Sequence, residues 1–183
     1  MSIDGPEQLE AMKRVSGVVR VAIEAMRRQL VAGVTTLELD AVAKGVFDRY
    51  GARSAPTLEY GFPGTVLISI NDEAVHGIPG DRVIQAHDLV KLDVTPELDG
   101  FVADAAVTVA MPGASVAARR LPRCAEQALS TAIALAQVGQ PIHEIGRAVE
   151  REVARHACQV LRAPRGHGAG RQHHPAPAVW HHY

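Results

Sequence analysis

Two aspartates inside predicted strands are the first residues whose type and spacing could carry chemistry. Asp93 lies in Leu-Asp-Val-Thr and Asp104 in Val-Ala-Asp-Ala, each within an apolar run. Side chains alternate along a strand, and opposed residues of an antiparallel hairpin share a face. A turn centred on 98–99 makes the two aspartates directly opposed, whereas a turn centred on 99–100 makes them diagonal neighbours. Two carboxylates converge in either register.

The convergence of the two carboxylates indicates a cation site. Adjacent carboxylates repel each other unless a proton or a cation lies between them. Hard oxygen ligands suit a divalent metal, or two metals bridged by one carboxylate. The alternative is that one aspartate caps the turn and the other pairs with Lys91. The two interpretations are balanced for Asp93 alone, and metal binding is favoured for the pair.

Two further motifs place histidines where they could join this site. His167 lies in Gly-His-Gly-Ala-Gly-Arg, followed by His173 and His174. Glycines on both sides let the backbone pass close to a bound group, although a flexible basic loop has the same composition. His76 lies in Val-His-Gly-Ile-Pro, directly after a predicted strand. A lone histidine there is more often structural than catalytic.

The elements that must position these residues follow the order helix, helix, strands, then helix, helix, strand. Pro6 suits the first turn of a helix that ends at Gly33. Thr35 to Glu38 form a capping box for the second helix, which ends at Gly51. The remaining predicted elements are strands over Thr65–Ile70, Leu89–Thr95 and Phe101–Val109, helices over Leu121–Gln137 (with Pro122 in the first turn) and Ile142–Val153, and a short strand at Val160–Leu161.

A faint internal match supports a duplication of this pattern. At one constant offset, Gly33 aligns with Gly139 and Glu38 with Glu144. The repeated element order then suggests two related α/β halves.

Bulk composition restricts the class of protein. The chain has 183 residues and is 47% hydrophobic, which is enough for one substantial domain. A net charge of −1 gives no reason to expect nucleic acid or anionic lipid as a partner. Cys124 and Cys158 are too few for a disulfide framework. The sequence shows no signal peptide and no apolar run long enough to span a membrane. We therefore expect a cytoplasmic protein.

The motif series resembles that of the short bacterial methionine aminopeptidases over nearly the whole chain. Prolidases and creatinases share the aspartates and a metal-binding histidine, but usually carry a large N-terminal domain and lack the His-Gly-Ile-Pro context. The resemblance implies an α/β pita-bread fold with two pseudo-symmetric halves and an antiparallel sheet covered by helices. It rests on Asn71, Val75–Pro79, Asp93, Asp104, the loop 166–171 with His174, and Gly61-Phe62-Pro63.

The resemblance also implies roles for individual residues. Asp93 corresponds to a bidentate ligand and Asp104 to the bridging ligand of two divalent metals, with His167 as the imidazole ligand. The metal, whether Co, Mn, Fe or Zn, is not distinguished.

The residues that meet the substrate are also implied by the resemblance. His76 and His174 correspond to catalytic groups that hydrogen-bond the substrate and the developing tetrahedral intermediate. Phe62 corresponds to a wall of the pocket for the methionine side chain. The expected activity is metal-dependent removal of the initiator methionine from nascent proteins. The expected partners are N-terminal peptides beginning with Met, and the ribosome through the nascent chain. We expect a monomer.

The chain departs from the family pattern after the loop 166–171. The family has two further strand glutamates as metal ligands, whereas no glutamate follows Glu152 here, and Pro175 replaces a usually acidic residue. Residues 1–183 are therefore interpreted as one truncated pita-bread domain lacking its last strands. We expect at most one weakly bound metal and little or no activity. The alternatives are a non-catalytic peptide- or partner-binding protein, and a truncated product without a function of its own.

Overall fold

The computed structural model describes residues 3–161, 166–171 and 178–179. By contacts these form two compact units, one of residues 3–114 with 169–171 and one of 115–161 with 166–168 and 178–179. The elements are the helices α1 Pro6–Gln29, α2 Thr36–Tyr50, α3 Ala55–Tyr60, α4 Val116–Leu135 and α5 Ile142–Arg155, and the strands β1 Arg53–Ser54, β2 Leu67–Ile70, β3 Leu89–Val94, β4 Pro96–Leu98, β5 Phe101–Val102, β6 Ala105–Ala110, β7 Gly166–His167 and β8 Ala178–Val179.

The first two helices form in the predicted segments, but α1 ends at Gln29, with Leu30 as its C-cap, and not at the predicted Gly33. Pro6 occupies the first turn of α1, where its missing N–H costs no hydrogen bond. At the start of α2, the Glu38 N–H donates to Thr35 Oγ1 at 3.1 Å and the Thr35 N–H donates to Glu38 Oε2 at 2.8 Å. Gly51 ends α2 in the left-handed conformation, with φ 68°. The predicted capping box of α2 and the predicted end of that helix at Gly51 are confirmed.

A three-stranded antiparallel sheet in the order β2-β3-β6 forms the centre of the first unit. Along β3 every second residue is buried, and these residues pack with the apolar face of α1. The core contains the fully buried Val15, Met26, Leu39, Val90, Leu92 and Val94.

The first long predicted strand, Leu89–Thr95, is confirmed as β3, and an additional strand, β4, forms in the segment expected to be the turn. The second predicted strand is broken into β5 and β6, because the hairpin passes from the central sheet into a second sheet of order β1-β4-β5. Between β3 and β4 the Thr95 carbonyl accepts a hydrogen bond from the Ala55 N–H at 3.0 Å. This partner belongs to a residue distant in sequence, so strand patterning alone does not predict the passage into the second sheet.

The second unit contains α4 and α5, and it corrects two predictions. Helix α4 begins at Val116 rather than at Leu121, because Ser115 caps it by accepting the Ala118 N–H at 3.1 Å. Pro122 consequently lies inside the helix and not in its first turn. Residues 160–161 form no strand. Among the described residues, no helix is both long and apolar enough to cross a membrane.

Candidate metal and peptide site

The hairpin that carries Asp93 and Asp104 has the diagonal one of the two possible registers. Asp93 pairs with Ala106, two residues beyond Asp104, and the turn is centred on Asp99 and Gly100. These two residues have φ values of 53° and 80°, as expected for an Asp-Gly hairpin turn. The register therefore brings the two carboxylates together as diagonal neighbours.

The Asp104 carboxylate lies beside the end of β3. The Thr95 hydroxyl donates to Asp104 Oδ1 at 3.1 Å, and Asp93 and Asp104 are both half-buried. Burial lowers the pKa of the Lys91 ammonium, and the Asp93 charge opposes that shift. Lys91 is thus an electrostatic neighbour of Asp93, so the alternative interpretation of this aspartate has some support.

Tyr60, which the sequence analysis did not single out, joins the carboxylates to an aromatic cluster. Burial raises the pKa of its phenol, and the charges of Asp93 and Asp104 add to that effect. The Tyr60 ring packs edge-on against both Phe62 and His76, with ring centroids 6.3 Å apart in each pair. We call these three side chains the aromatic cluster. An aromatic residue directly before Gly61-Phe62-Pro63 was the available signal.

A close approach of two backbones holds His76 in place. The Ile68 N–H of β2 donates to the Gly77 carbonyl at 2.9 Å, and the Gly77 N–H donates to Ser69 Oγ at 3.0 Å. A Cβ atom on Gly77 would lie 2.1 Å from the Ile68 carbonyl oxygen. His76 itself has φ 61°, a conformation that costs free energy for a residue other than glycine. The exposed imidazole is therefore positioned by the sheet through Gly77.

His167 has a ring orientation suited to metal binding, but it lies in the second unit. Its Nδ1 is 2.8 Å from the Gly168 carbonyl oxygen, which can only accept a hydrogen bond. In the neutral imidazole this contact requires the proton on Nδ1, and Nε2 is then the nitrogen that could bind a metal. The predicted proximity of His167 to the carboxylates stays a prediction.

The end of the glycine-rich loop belongs to the first unit. The Val102 N–H donates to the Gly170 carbonyl at 2.7 Å, and the Arg171 guanidinium lies 4.9 Å from the centre of the Phe101 ring. The loop is therefore attached to β5, close in sequence to Asp104. His173 and His174 lie outside the described residues.

The donor set of the first unit fits one hard divalent cation. Two neighbouring carboxylates supply oxygen ligands and two negative charges, which match such an ion. Within residues 3–161, 166–171 and 178–179, no group of three or more His, Cys, Asp or Glu side chains is placed to hold a metal. The chemistry of the two aspartates is thus the feature on which a metal assignment rests.

Comparison with known sequences connects this geometry to a family. The sequence profile of metallopeptidase family M24 matches residues 10–183. Methionine aminopeptidase 2 of Bacillus subtilis (strain 168) is 37% identical over 178 residues, which are 97% of this chain and 72% of that protein. A methionine aminopeptidase of Helicobacter pylori (strain J99) is 31% identical over 179 residues, or 98% of this chain and 71% of that protein.

Solved structures show the same fold. The methionine aminopeptidase of Rickettsia prowazekii superposes with a TM-score of 0.94 at 26% identity, over 100% of this chain and 73% of that one. The methionine aminopeptidase of Thermotoga maritima superposes with a TM-score of 0.96 at 27% identity, over 100% of this chain and 74% of that one. A prolidase from Pyrococcus furiosus, at 17% identity and a TM-score of 0.83, shares the pita-bread fold alone. This chain therefore belongs to metallopeptidase family M24, where it groups with bacterial methionine aminopeptidases.

Proposed function

We propose that this chain binds peptides that begin with methionine and removes that residue in a metal-dependent reaction. The observation that carries the proposal concerns Tyr60. Its ring packs against Phe62 and His76 in the aromatic cluster, and the charges of Asp93 and Asp104 both help to raise the pKa of its phenol. The aromatic cluster and the two carboxylates both lie in the first unit. The methionine aminopeptidases among its relatives support the choice of substrate.

The two parts of the site suit the two ends of an N-terminal methionine. The thioether side chain is apolar and polarizable and makes favourable contacts with aromatic rings. Phe62 is 7% exposed and Tyr60 is 49% exposed, so the aromatic cluster offers one buried wall and one accessible wall. The peptide's amine, in its neutral form, would serve as a ligand of the divalent cation that the carboxylates hold. An N-terminal methionine could therefore place its side chain on the rings and its amine toward that cation.

The carboxylate pair would hold the divalent ion that this family requires. A bound ion of this kind lowers the pKa of a coordinated water and polarises a carbonyl group. Asp93 and Asp104 would hold the cation, and His76 would hydrogen-bond the substrate carbonyl from the loop that is attached to β2.

We propose that residues 1–183 turn over slowly. Hydrolysis of an amide also needs a group that accepts the proton of the attacking water, and removing such a group typically costs about 10²–10⁴-fold in rate. Both aspartates of the site are assigned to the cation, and within the part of the chain that the structure describes no third His, Cys, Asp or Glu side chain groups with them. The peptide substrates would be new N-termini at the ribosome, which places the reaction in the cytoplasm.

Release of methionine from a Met-Gly-Met peptide by purified protein with added Mn²⁺ or Co²⁺ tests the proposal. Slow release that Asp104→Ala abolishes would support it. Peptide binding should be measured in parallel, with Tyr60→Ala as the variant that removes the accessible ring. Specific binding without release would favour the alternative of a non-catalytic peptide-binding protein. Release that survives Asp104→Ala, or no discrimination for N-terminal methionine, would contradict the assignment of this site.

A further inference from the structure

The second unit brings together the two cysteines of the chain. Cys124 lies within α4 and is 4% exposed, and Cys158 follows the end of α5. Both are free thiols, and they lie within hydrogen-bonding range of each other. We propose that Cys124 and Cys158 are a reversible modification site, at which a hydroperoxide oxidises the two thiols to an intramolecular disulfide. The bond would join α4 to the segment that leads along the chain to His167.

The backbone at the end of α5 fixes the position of Cys158. Ala157 has φ 52°, a left-handed conformation that residues other than glycine seldom adopt. The Ala157 N–H donates to the Ala154 carbonyl at 3.0 Å. The Cys158 N–H donates to the Val153 carbonyl at 3.2 Å. This pair of hydrogen bonds is the Schellman motif, which ends a helix in a defined geometry.

Arg120 of α4 attaches this helix end to the helix that carries Cys124. Its Nη2 donates to the His156 carbonyl at 2.8 Å, and the Cys158 thiol donates to the same oxygen at 3.5 Å. Arg120 and Cys124 are one turn apart in α4, so they lie on the same face of that helix. The shared carbonyl therefore places the Cys158 sulfur beside the face of α4 that carries Cys124.

The surroundings of the two thiols predict which of them reacts first. Burial raises the pKa of the Cys124 thiol, and its hydrogen bond with Cys158 raises it further, whereas the charge of Arg120 opposes these effects. Because the thiolate is the nucleophile, Cys124 is poorly suited to attack a peroxide. Cys158 is only half-buried, and the first step is therefore assigned to it.

The reaction balances with hydrogen peroxide as the oxidant. The Cys158 thiolate attacks one peroxide oxygen, the O–O bond breaks, and the other oxygen leaves as hydroxide and takes up a proton. Cys158 is then a sulfenic acid. The Cys124 thiol gives up its proton, its sulfur attacks the Cys158 sulfur, and the S–O bond breaks with release of water. The two sulfurs together lose two electrons, and the peroxide is reduced to two molecules of water.

Peroxide treatment of the reduced full chain tests the proposal, with a chelator present to remove metal. We expect both thiols to disappear together, the intact mass to fall by two hydrogen atoms, and digestion to yield a peptide that joins Cys124 to Cys158. Dithiothreitol should restore both thiols. In Cys124→Ser no disulfide should form, and dimedone, which traps sulfenic acids, should label Cys158. In Cys158→Ser the same peroxide dose should leave Cys124 reduced.

The ratio of disulfide to dimedone adduct measures the second step by itself. Arg120→Gln should lower this ratio about threefold to tenfold, the range expected when one hydrogen bond is lost. Arg123→Gln removes a charge from the same helix without that hydrogen bond and is the matched control, which should leave the ratio unchanged. In urea the ratio should fall at least about tenfold, because the fold no longer holds the two sulfurs together.

Four results would overturn the proposal. The first is that both cysteines stay reduced, and the second is that Cys158 is oxidised without a disulfide to Cys124. The third is a disulfide between two chains, which appears as a dimer on non-reducing gels. The fourth is an equal ratio of disulfide to dimedone adduct in the folded chain and in urea, since the fold would then contribute nothing to the pairing.

Discussion

At the scale of single residues, the position of His76 depends on Gly77. The imidazole belongs to the aromatic cluster, and its loop is attached to β2 by hydrogen bonds on both sides of Gly77. Because a Cβ atom would meet the Ile68 carbonyl oxygen at 2.1 Å, no side chain fits without moving the backbone. The glycine thus determines how closely the His76 loop approaches the sheet.

Gly77→Ala should consequently destabilise the chain. Forcing an extra methyl group into a packed site typically costs about 1–3 kcal/mol, and the displaced loop should also weaken binding of methionyl peptides. Chemical denaturation gives the change in the free energy of unfolding. Gly80→Ala is the matched control, since its Cβ would meet nothing within 4 Å. Equal stabilities of the two variants would contradict the close approach.

The sequence predicted some residues of the site but not how they are assembled. Asp93 and Asp104 could be identified as candidate site residues because charged residues are rare inside apolar strands. The position of the turn limited the register of their hairpin to two possibilities. Tyr60, the last residue of α3, could have been noticed from its position beside Phe62, but its contact with His76 joins segments that are distant in sequence and meet only in the folded chain. His167 was selected from its flanking glycines, and its partner Gly168 is a neighbour in sequence.

At the scale of elements, Glu97 holds the hairpin that carries the carboxylate pair. Glu97 in β4 lies opposite Arg53 of β1, with Arg53 Nη2 2.7 Å from Glu97 Oε2. Its other oxygen accepts the Gly100 N–H at 2.7 Å. Burial by itself raises the pKa of the Glu97 carboxyl, but the hydrogen bonds from Arg53 and Gly100 and the Arg53 charge outweigh it. The pKa of Glu97 is therefore lowered.

Glu97→Gln should destabilise the hairpin in a pH-dependent manner. A carboxyl whose pKa is lowered on folding contributes stability that is complete above its unfolded pKa of about 4.3 and is lost as pH falls through the folded pKa. We expect the free energy of unfolding to fall by about 1 kcal/mol near neutral pH. The loss is no larger because the Arg53 side chain is 64% exposed and solvent screens its ion pair with Glu97. Thermal unfolding at several pH values measures this difference. A difference that grows as pH falls below 4.3 would contradict the assignment.

Helix ends and the hairpin turn could be predicted because local chemistry decides them. The Thr35 to Glu38 capping box and the helix end at Gly51 form as expected, and the turn at Asp99–Gly100 is one of the two that the sequence allowed. Strand β1 and helix α3 were not predicted, because two and six residues are too few to show a periodic pattern. The start of α4 was missed because Pro122 was taken as a first-turn residue, whereas the Ser115 cap places it further inside the helix.

At the scale of the whole molecule, the order of motifs predicted the fold better than the element pattern did. The pita-bread fold is confirmed by the superpositions on methionine aminopeptidases, which extend over the full length of this chain. The suggested duplication has a structural counterpart in the two glycines that follow α1 and α4. Gly33 and Gly139 both have positive φ, 100° and 87°. The division into two units depends on long-range contacts, which periodicity does not reveal.

The central claim is that Asp93 and Asp104 together hold a divalent cation, and isothermal titration of chelator-treated protein with Mn²⁺ tests it most directly. We expect at most one weak site per chain in the wild type, and its loss in both Asp93→Asn and Asp104→Asn. Asp99→Asn is the control, since Asp99 lies in the turn of the same hairpin, at a positive φ that asparagine tolerates. Loss of binding in the first two variants with retention in the third is the result this account predicts. Unchanged Mn²⁺ binding by Asp93→Asn and Asp104→Asn would contradict it.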